Sequence, residues 1–225
     1  MFLLSVNFEK AVKDYLYLLE RGYPQKSILK IVGDKYQLVS RERSMLFRGV
    51  VTQKDCGLRK SKSLDMTEED SSLYVDGYNV IRTIGSYLLG KPVFIAMDGF
   101  LRDAAEMHRS TLQKKILNRT LDLLVRYLAS VHPGEVIIYL DEPVSKSGQL
   151  ATRLNELLQQ NALTGNALTT HSPDHHLKSV SQGIVCTADS AVIDNCKTKV
   201  FDLAQAILDL TFQPEYITFE TDINH

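Results

Sequence analysis

The chain has 225 residues, 44% of them hydrophobic and 24% charged, with a formal net charge of −1. This is the composition of a globular protein with room for one large core or two smaller ones, and no apolar run approaches the roughly 18 residues of a membrane span. Three cysteines without CxxC spacing, Cys56, Cys186 and Cys196, exclude a disulfide framework and a zinc ribbon and point to a reducing cytoplasm.

Met1 to Val6 is apolar but lacks a basic leader and runs into Glu9 and Lys10, so secretion is not expected. The near-zero net charge conceals an asymmetry. Up to Asp65 there are 13 Lys and Arg against 7 Asp and Glu, and beyond it 13 against 20. A basic piece, residues 1–65, thus precedes an acidic one, residues 66–225. Phosphates attract the first and divalent cations the second, although two surfaces that attract each other would give the same balance.

In the basic piece, Ala11, Val12, Tyr15, Leu16 and Leu19 recur at helical spacing and predict a helix ending near Arg21-Gly22. Pro24 opens a second helix, with Ile28, Leu29, Ile31 and Val32 buried and Gly33-Asp34 as its stop; Ser40 caps a third that carries Met45, Leu46 and Val50. Lys26, Lys30, Arg41, Arg43 and Arg48 stud these helices, as a small nucleic-acid-binding module would require. A helical bundle with solvated basic faces is the competing reading. Residues 52–72 are polar and without apolar periodicity, and read as a linker.

Beyond the linker, apolar runs of strand length alternate with helical stretches, which predicts an α/β domain built on a mostly parallel sheet sandwiched by helices. The expected strands are 73–75, 93–97, 136–140, a short one at 167–170, 183–187 and 199–201. The expected helices run from about Ser110 to Ala129, Gln149 to Gln160, Asp174 to Val180 and Leu203 to Leu210.

Strand after strand finishes in an aspartate: Asp76, Asp98, Asp141 and Asp189. The carboxyl edge of an open parallel sheet is where ligands bind. Carboxylates gathered there repel one another unless a cation neutralises them, and hard oxygen ligands select Mg²⁺ or Mn²⁺. Metal-assisted hydrolysis of a phosphodiester is the matching chemistry. Any single strand-end Asp is more often a turn or capping residue, so the recurrence carries the inference.

Leu73-Tyr74-Val75-Asp76-Gly77-Tyr78-Asn79-Val80 resembles the first strand of the PIN-like nucleases of the NYN group, which ends in a DGYN signature. Ile138-Tyr139-Leu140-Asp141 is similar to that group's central strand, and Thr187-Ala188-Asp189-Ser190 resembles its T-x-D segment, in the same order along the chain. The resemblance implies a Rossmann-like PIN fold over roughly residues 72–210 and a metal-dependent endoribonuclease. Asp76, Asp141 and Asp189 would be its metal ligands, Asp174 a further acid, and Asn79 the residue that orients Asp76 or touches the scissile phosphate. Together with Arg21-Gly22-Tyr23-Pro24 and Arg48-Gly49-Val50, the whole chain also resembles an uncharacterised prokaryotic family that pairs a small helical domain with a PIN-like one. Asp98-Gly99-Phe100-Leu101-Arg102-Asp103 and the stretch from Asp141 to Gly148 are characteristic of that family and depart from ordinary PIN nucleases.

Asp98 and Asp103 are second-rank acids, equally suited to capping, with Arg102 a partner for one of them or a contact to substrate. Ser145, Lys146 and Ser147 precede a helix and either hold a phosphate or simply cap it. His171, Asp174, His175 and His176 are poorly spaced for zinc, because adjacent helical residues point about 100° apart. VDGYN lacks the second acid of a phosphatase DxDx pattern. RNA is therefore the expected partner, with a non-cleaving nucleic-acid or nucleotide-binding protein as the rival. A homo-oligomer is compatible with the sequence, but no surface for one can be located in it.

Overall fold

The structure, a computed structural model, describes residues 4–104, 112–142, 144 and 146–219. Ser145 and the start of the helix expected from Ser110 lie outside the described residues. The chain divides into two compact units. One combines Met1–Ser61, Gly90–Glu106 and Glu215–His225, and the other Lys62–Leu89 and Met107–Pro214.

The first unit opens with an all-helical segment: α1 (Phe8–Glu20), α2 (Gln25–Lys35), α3 (Ser40–Gly49) and α4 (Gln53–Lys62, which runs to the unit's edge). The stripes predicted for α1 to α3 pack together around Tyr15, Ile28, Met45 and Leu46, except that Ile31, expected in the α2 stripe, is exposed, its place in the core taken by Ile28 and Val32 one turn apart. Gly33 does not stop α2. The Arg43 guanidinium occupies the space where a Cβ would stand at Gly33, donating to the Leu38 carbonyl at 2.9 Å and pairing with Asp34 at 2.9 Å. Ser40 is the first residue of α3 rather than its cap; Glu42 in the first turn accepts from the Val39 amide at 3.2 Å.

Two further expectations are corrected in this unit. Much of the stretch read as a linker is helix α4, started by the Thr52 hydroxyl accepting from the Asp55 amide at 3.1 Å. The strand ending near Asp98 is not part of the parallel sheet. β3 (Val93–Ile95) pairs antiparallel with β4 (Leu101–Asp103) and parallel with β9 (Ile217–Thr218) in a separate three-stranded sheet. Asp98 and Gly99, at φ 89°, lie in the connection between β3 and β4. Phe94 and Phe219 complete the core, their rings edge to face at 5.4 Å.

The second unit is the α/β domain. β1 (Ser63–Leu64), β2 (Ser72–Asp76), β5 (Glu135–Asp141), β6 (Gly165–Thr170), β7 (Ile184–Cys186) and β8 (Lys199–Phe201) form a six-stranded sheet in the order β1-β8-β7-β2-β5-β6. Every pairing in it is parallel. The helices are α5 (Gly77–Leu88), α6 (Lys114–Ser130), α7 (Ser147–Gln160), α8 (Pro173–Ser179), α9 (Ser190–Asn195) and α10 (Leu203–Phe212). No helix among the described residues is long and apolar enough to cross a membrane.

After the edge strand β1, the chain builds the rest of this sheet outward from the middle. From β2 it adds β5 and β6 on one side, then crosses over to lay β7 and β8 on the other. That reversal makes the carboxyl ends of β2 and β7 a topological switch point, where loops diverge and leave a crevice.

Asp98 in the first unit is held by two guanidinium groups, Arg59 at 2.8 Å and Arg102 at 2.6 Å, and its side chain is fully buried. Removing one member of a buried pair leaves charge without compensation and typically costs about 3–5 kcal/mol. Asp98→Ala should therefore lower urea-unfolding stability by about that amount, whereas Lys30→Ala, which removes an exposed pair with Asp34, should change it by less than about 1 kcal/mol. Equal effects of the two would show that the Asp98 cluster contributes no more than a surface contact.

Candidate active site

Asp76 stands at the end of β2 and caps α5, accepting from the Asn79 amide at 3.3 Å. The helix can begin there because residue 77 is glycine. A Cβ at Gly77 would lie 2.7 Å from Leu140 Cδ2 and 2.9 Å from Ile138 Cγ2, too close to be tolerated without movement. α5 thereby packs on the Ile138 and Leu140 face of the sheet. The alternating residues Tyr74, Asp76, Tyr139 and Asp141 point to the opposite face.

The expected DGYN and T-x-D segments meet across the switch point. The Thr187 hydroxyl donates to Asp76 Oδ2 at 2.9 Å, and the Ala188 amide donates to the Asn79 side-chain oxygen at 2.9 Å. Thr187 Oγ1 also accepts from the Asp189 amide at 3.1 Å. Asp189, exposed at the mouth, caps α9 by accepting from the Ala191 and Val192 amides at 2.7 and 3.4 Å. The strands bring this about directly: Val75 pairs with Cys186, so the residues that follow each, Asp76 and Thr187, become neighbours.

Burial raises the pKa of Asp76, and the charges of Asp189 and then Asp174 raise it further against the bonds from Thr187 and Asn79, carrying it from 3.8 to about 7. Asp174, exposed on the first turn of α8, also pairs with Lys178 at 3.5 Å. Asp141 lies at the end of β5, two residues beyond the Tyr139 that pairs with Asp76. Its charge acts on Tyr78, whose ring carries the Arg82 guanidinium 5.2 Å from its centroid; burial is the larger cause of the raised Tyr78 pKa.

Among the described residues, no group of three or more His, Cys, Asp and Glu side chains is close enough to hold a metal ion. The expected trio of Asp76, Asp141 and Asp189 is therefore not gathered as a three-ligand set. Asp98 and Asp103 make their ion pairs within the first unit: Asp98 is bonded to Arg59 and Arg102, and Asp103 pairs with Arg48 at 2.9 Å. Arg102 is buried, with further bonding to the Arg48 carbonyl at 2.6 Å. Ser147 is buried and donates its hydroxyl to the Glu142 carbonyl at 3.1 Å, while its amide bonds Val144; Lys146 is exposed in a left-handed conformation at φ 66°. Of the basic residues, Lys26 is exposed, Lys30 and Arg43 pair with Asp34, Arg48 pairs with Asp103, and Arg41 is half-buried.

Thr187 was visible in the T-x-D segment but carried no assigned role, since only the strand pairing reveals that its hydroxyl meets Asp76. Asp202, another aspartate just past a strand, caps α10 through the Gln205 amide at 3.0 Å.

Residues 66–206 match the family described as Domain of unknown function (DUF5616). The chain belongs to that family. Ahead of it, residues 7–62 match the one described as Protein of unknown function (DUF434), so two family segments follow one another along the chain. Uncharacterized protein MJ0935 of Methanocaldococcus jannaschii is 28% identical over 205 residues, covering 90% of this chain and 97% of its own, so the similarity runs across both segments. No solved structure matches significantly.

The raised pKa of Asp76 has a measurable consequence in metal-free buffer. Because its folded value exceeds its unfolded one, the folded state holds the proton more tightly; the resulting stability is full below about pH 4 and is lost as pH rises through 7. In EDTA, Asp76→Asn should melt above wild type at pH 8, and the gap should shrink as pH falls toward 4. A melting-temperature difference that stays constant across that range would contradict the assignment.

Proposed function

We propose that the second unit is a PIN-like, metal-dependent ribonuclease that uses Mg²⁺ or Mn²⁺ to hydrolyse a phosphodiester bond of RNA. The observation that carries this reading is Asp76. It is a carboxylate at the switch point of a parallel sheet, destabilised in its charged form by burial and by two further acids, and so suited to neutralisation by a cation. The DGYN and T-x-D segments that prompted the PIN-like resemblance supply both sides of this junction.

The donor set suits a hard divalent ion that keeps most of its water. Mg²⁺ is commonly bound by one or two carboxylates plus substrate phosphate, so the lack of a three-carboxylate group is compatible with it. Asp76 and Asp189 would hold the ion directly, and Asp174 and Asp141 through water. When bound, the ion supplies an activated water and neutralises charge on the phosphate. Asn79 is tied to the Ala188 amide through its side-chain oxygen and to Asp76 through its own amide, so its part is to fix the Asp76 carboxylate in position. The exposed Lys26 adds a positive charge that favours a polyanionic substrate.

A non-cleaving nucleic-acid-binding protein on the same scaffold is separated by one assay. The purified full chain is incubated with assorted RNAs in Mn²⁺, Mg²⁺ or EDTA, beside Asp76→Asn and Asp189→Asn. Cleavage is expected in metal only, falling at least about 100-fold in each variant, the scale of losing one charge-stabilising group from an active site. Cleavage that persists in both variants would mean another enzyme is present, and binding without products in any metal would establish the non-cleaving alternative.

A further inference from the structure

Beside Asp76 there is a pair of aromatic rings whose arrangement the site chemistry described above does not use. Tyr139 on β5 is the register partner of Asp76 on β2, so the two side chains leave the same face of the sheet from adjacent strands, about 4.8 Å apart. α8 packs over β2 and β5 on that face. It lays the His176 imidazole on the Tyr139 ring, with centroids 5.1 Å apart and planes 12° from parallel. His175 then meets His176 edge to face at 6.0 Å and 76°. Tyr139 is half-buried, whereas both histidines are exposed.

An exposed histidine gains little stability from lying flat on a tyrosine, and an aliphatic residue would cover the ring as well. What the pair creates is a planar, polarisable shelf with an upright edge, its Tyr139 one strand spacing from Asp76, the carboxylate assigned to the metal ion. Single-stranded nucleic acid is held in this way, by bases stacking on aromatic rings while the backbone is engaged alongside. The separation is within the span of a single nucleotide. Lys178, on the same short helix, is bound to Asp174 and so belongs to the acidic side of the site, leaving the rings as the feature that fits a base.

We infer that His176, stacked on Tyr139 and flanked by His175, is a base-stacking subsite for the nucleotide adjoining the scissile phosphate of single-stranded RNA. This rests on the ribonuclease reading for the position of the phosphate, but its test does not require cleavage. Single-stranded RNA carrying the fluorescent base aminopurine is titrated with the protein in EDTA, using wild type, His176→Ala and His176→Phe. Stacking quenches the probe. Wild type should quench it, His176→Ala should abolish the quench and weaken binding about 10-fold, and His176→Phe should restore both. Quenching and affinity unchanged in His176→Ala, or a loss in His176→Phe as large as in His176→Ala, would overturn the subsite. His176-dependent quenching without cleavage in any metal would sink the ribonuclease reading and leave the subsite standing, while Asp76-dependent cleavage with quenching indifferent to His176 would do the reverse. No binding of RNA at all would overturn both.

Discussion

A carboxylate set among protein atoms at the end of a central strand must be matched by donors, and here the match comes from a different strand. The Thr187 hydroxyl reaches Asp76 at 2.9 Å because β7 lies beside β2 in one particular register. A slip of one residue in that pairing would turn Thr187 to the other face of the sheet and leave the acid without its hydroxyl donor. The hydrogen bond and the pairing register are therefore parts of one constraint, and Asn79 extends it by joining the start of α5 to the Ala188 amide. Gly77 is the remaining requirement, since only a residue without a side chain lets α5 leave β2 so close to β5. Placing Asp189 at the entrance to α9 follows from the same turn.

Much of this was legible in the sequence because it is written in apolar runs. β2, β5, β7 and β8 are short hydrophobic stretches with an acid just beyond, and the buried stripes of α1 to α3 have helical spacing. What escaped was held together by charge or by partners distant in the chain. α4 buries Arg59 rather than an aliphatic stripe, and its helix is stabilised by Asp98, a residue 39 positions later. The Val93 run has the composition of a central strand, yet it pairs with β4 and β9 in another sheet, a choice that depends on residues 217–218. α9 is six residues long and begins at a cap, too short for periodicity to register.

The basic residues of the first unit illustrate the same limit. Counted along the chain they suggest a positive surface, but Arg43 and Arg48 lie against Asp34 and Asp103, and Arg59 and Arg102 converge on Asp98. Charge content bears on partners only through what remains solvent-exposed, and pairing within the fold reduces it. The acidic excess of the second unit behaves differently: the charges of Asp189 and Asp174 both act on Asp76, so part of that charge is concentrated at one edge of one sheet.

The first unit is discontinuous in the chain: its helices come first, its hairpin follows the first two strands and the first helix of the other unit, and Ile217 and Phe219 come after that unit's last helix. During synthesis on the ribosome the helices must wait, with the apolar surface that will meet Phe94 and Phe219 still uncovered, until residues 217–219 have emerged. The α/β unit, finished by Pro214, has all of its strands available earlier. The order of maturation in the nascent chain is thus the reverse of the order of the termini, and the early helices are the part most in need of protection from aggregation while translation continues.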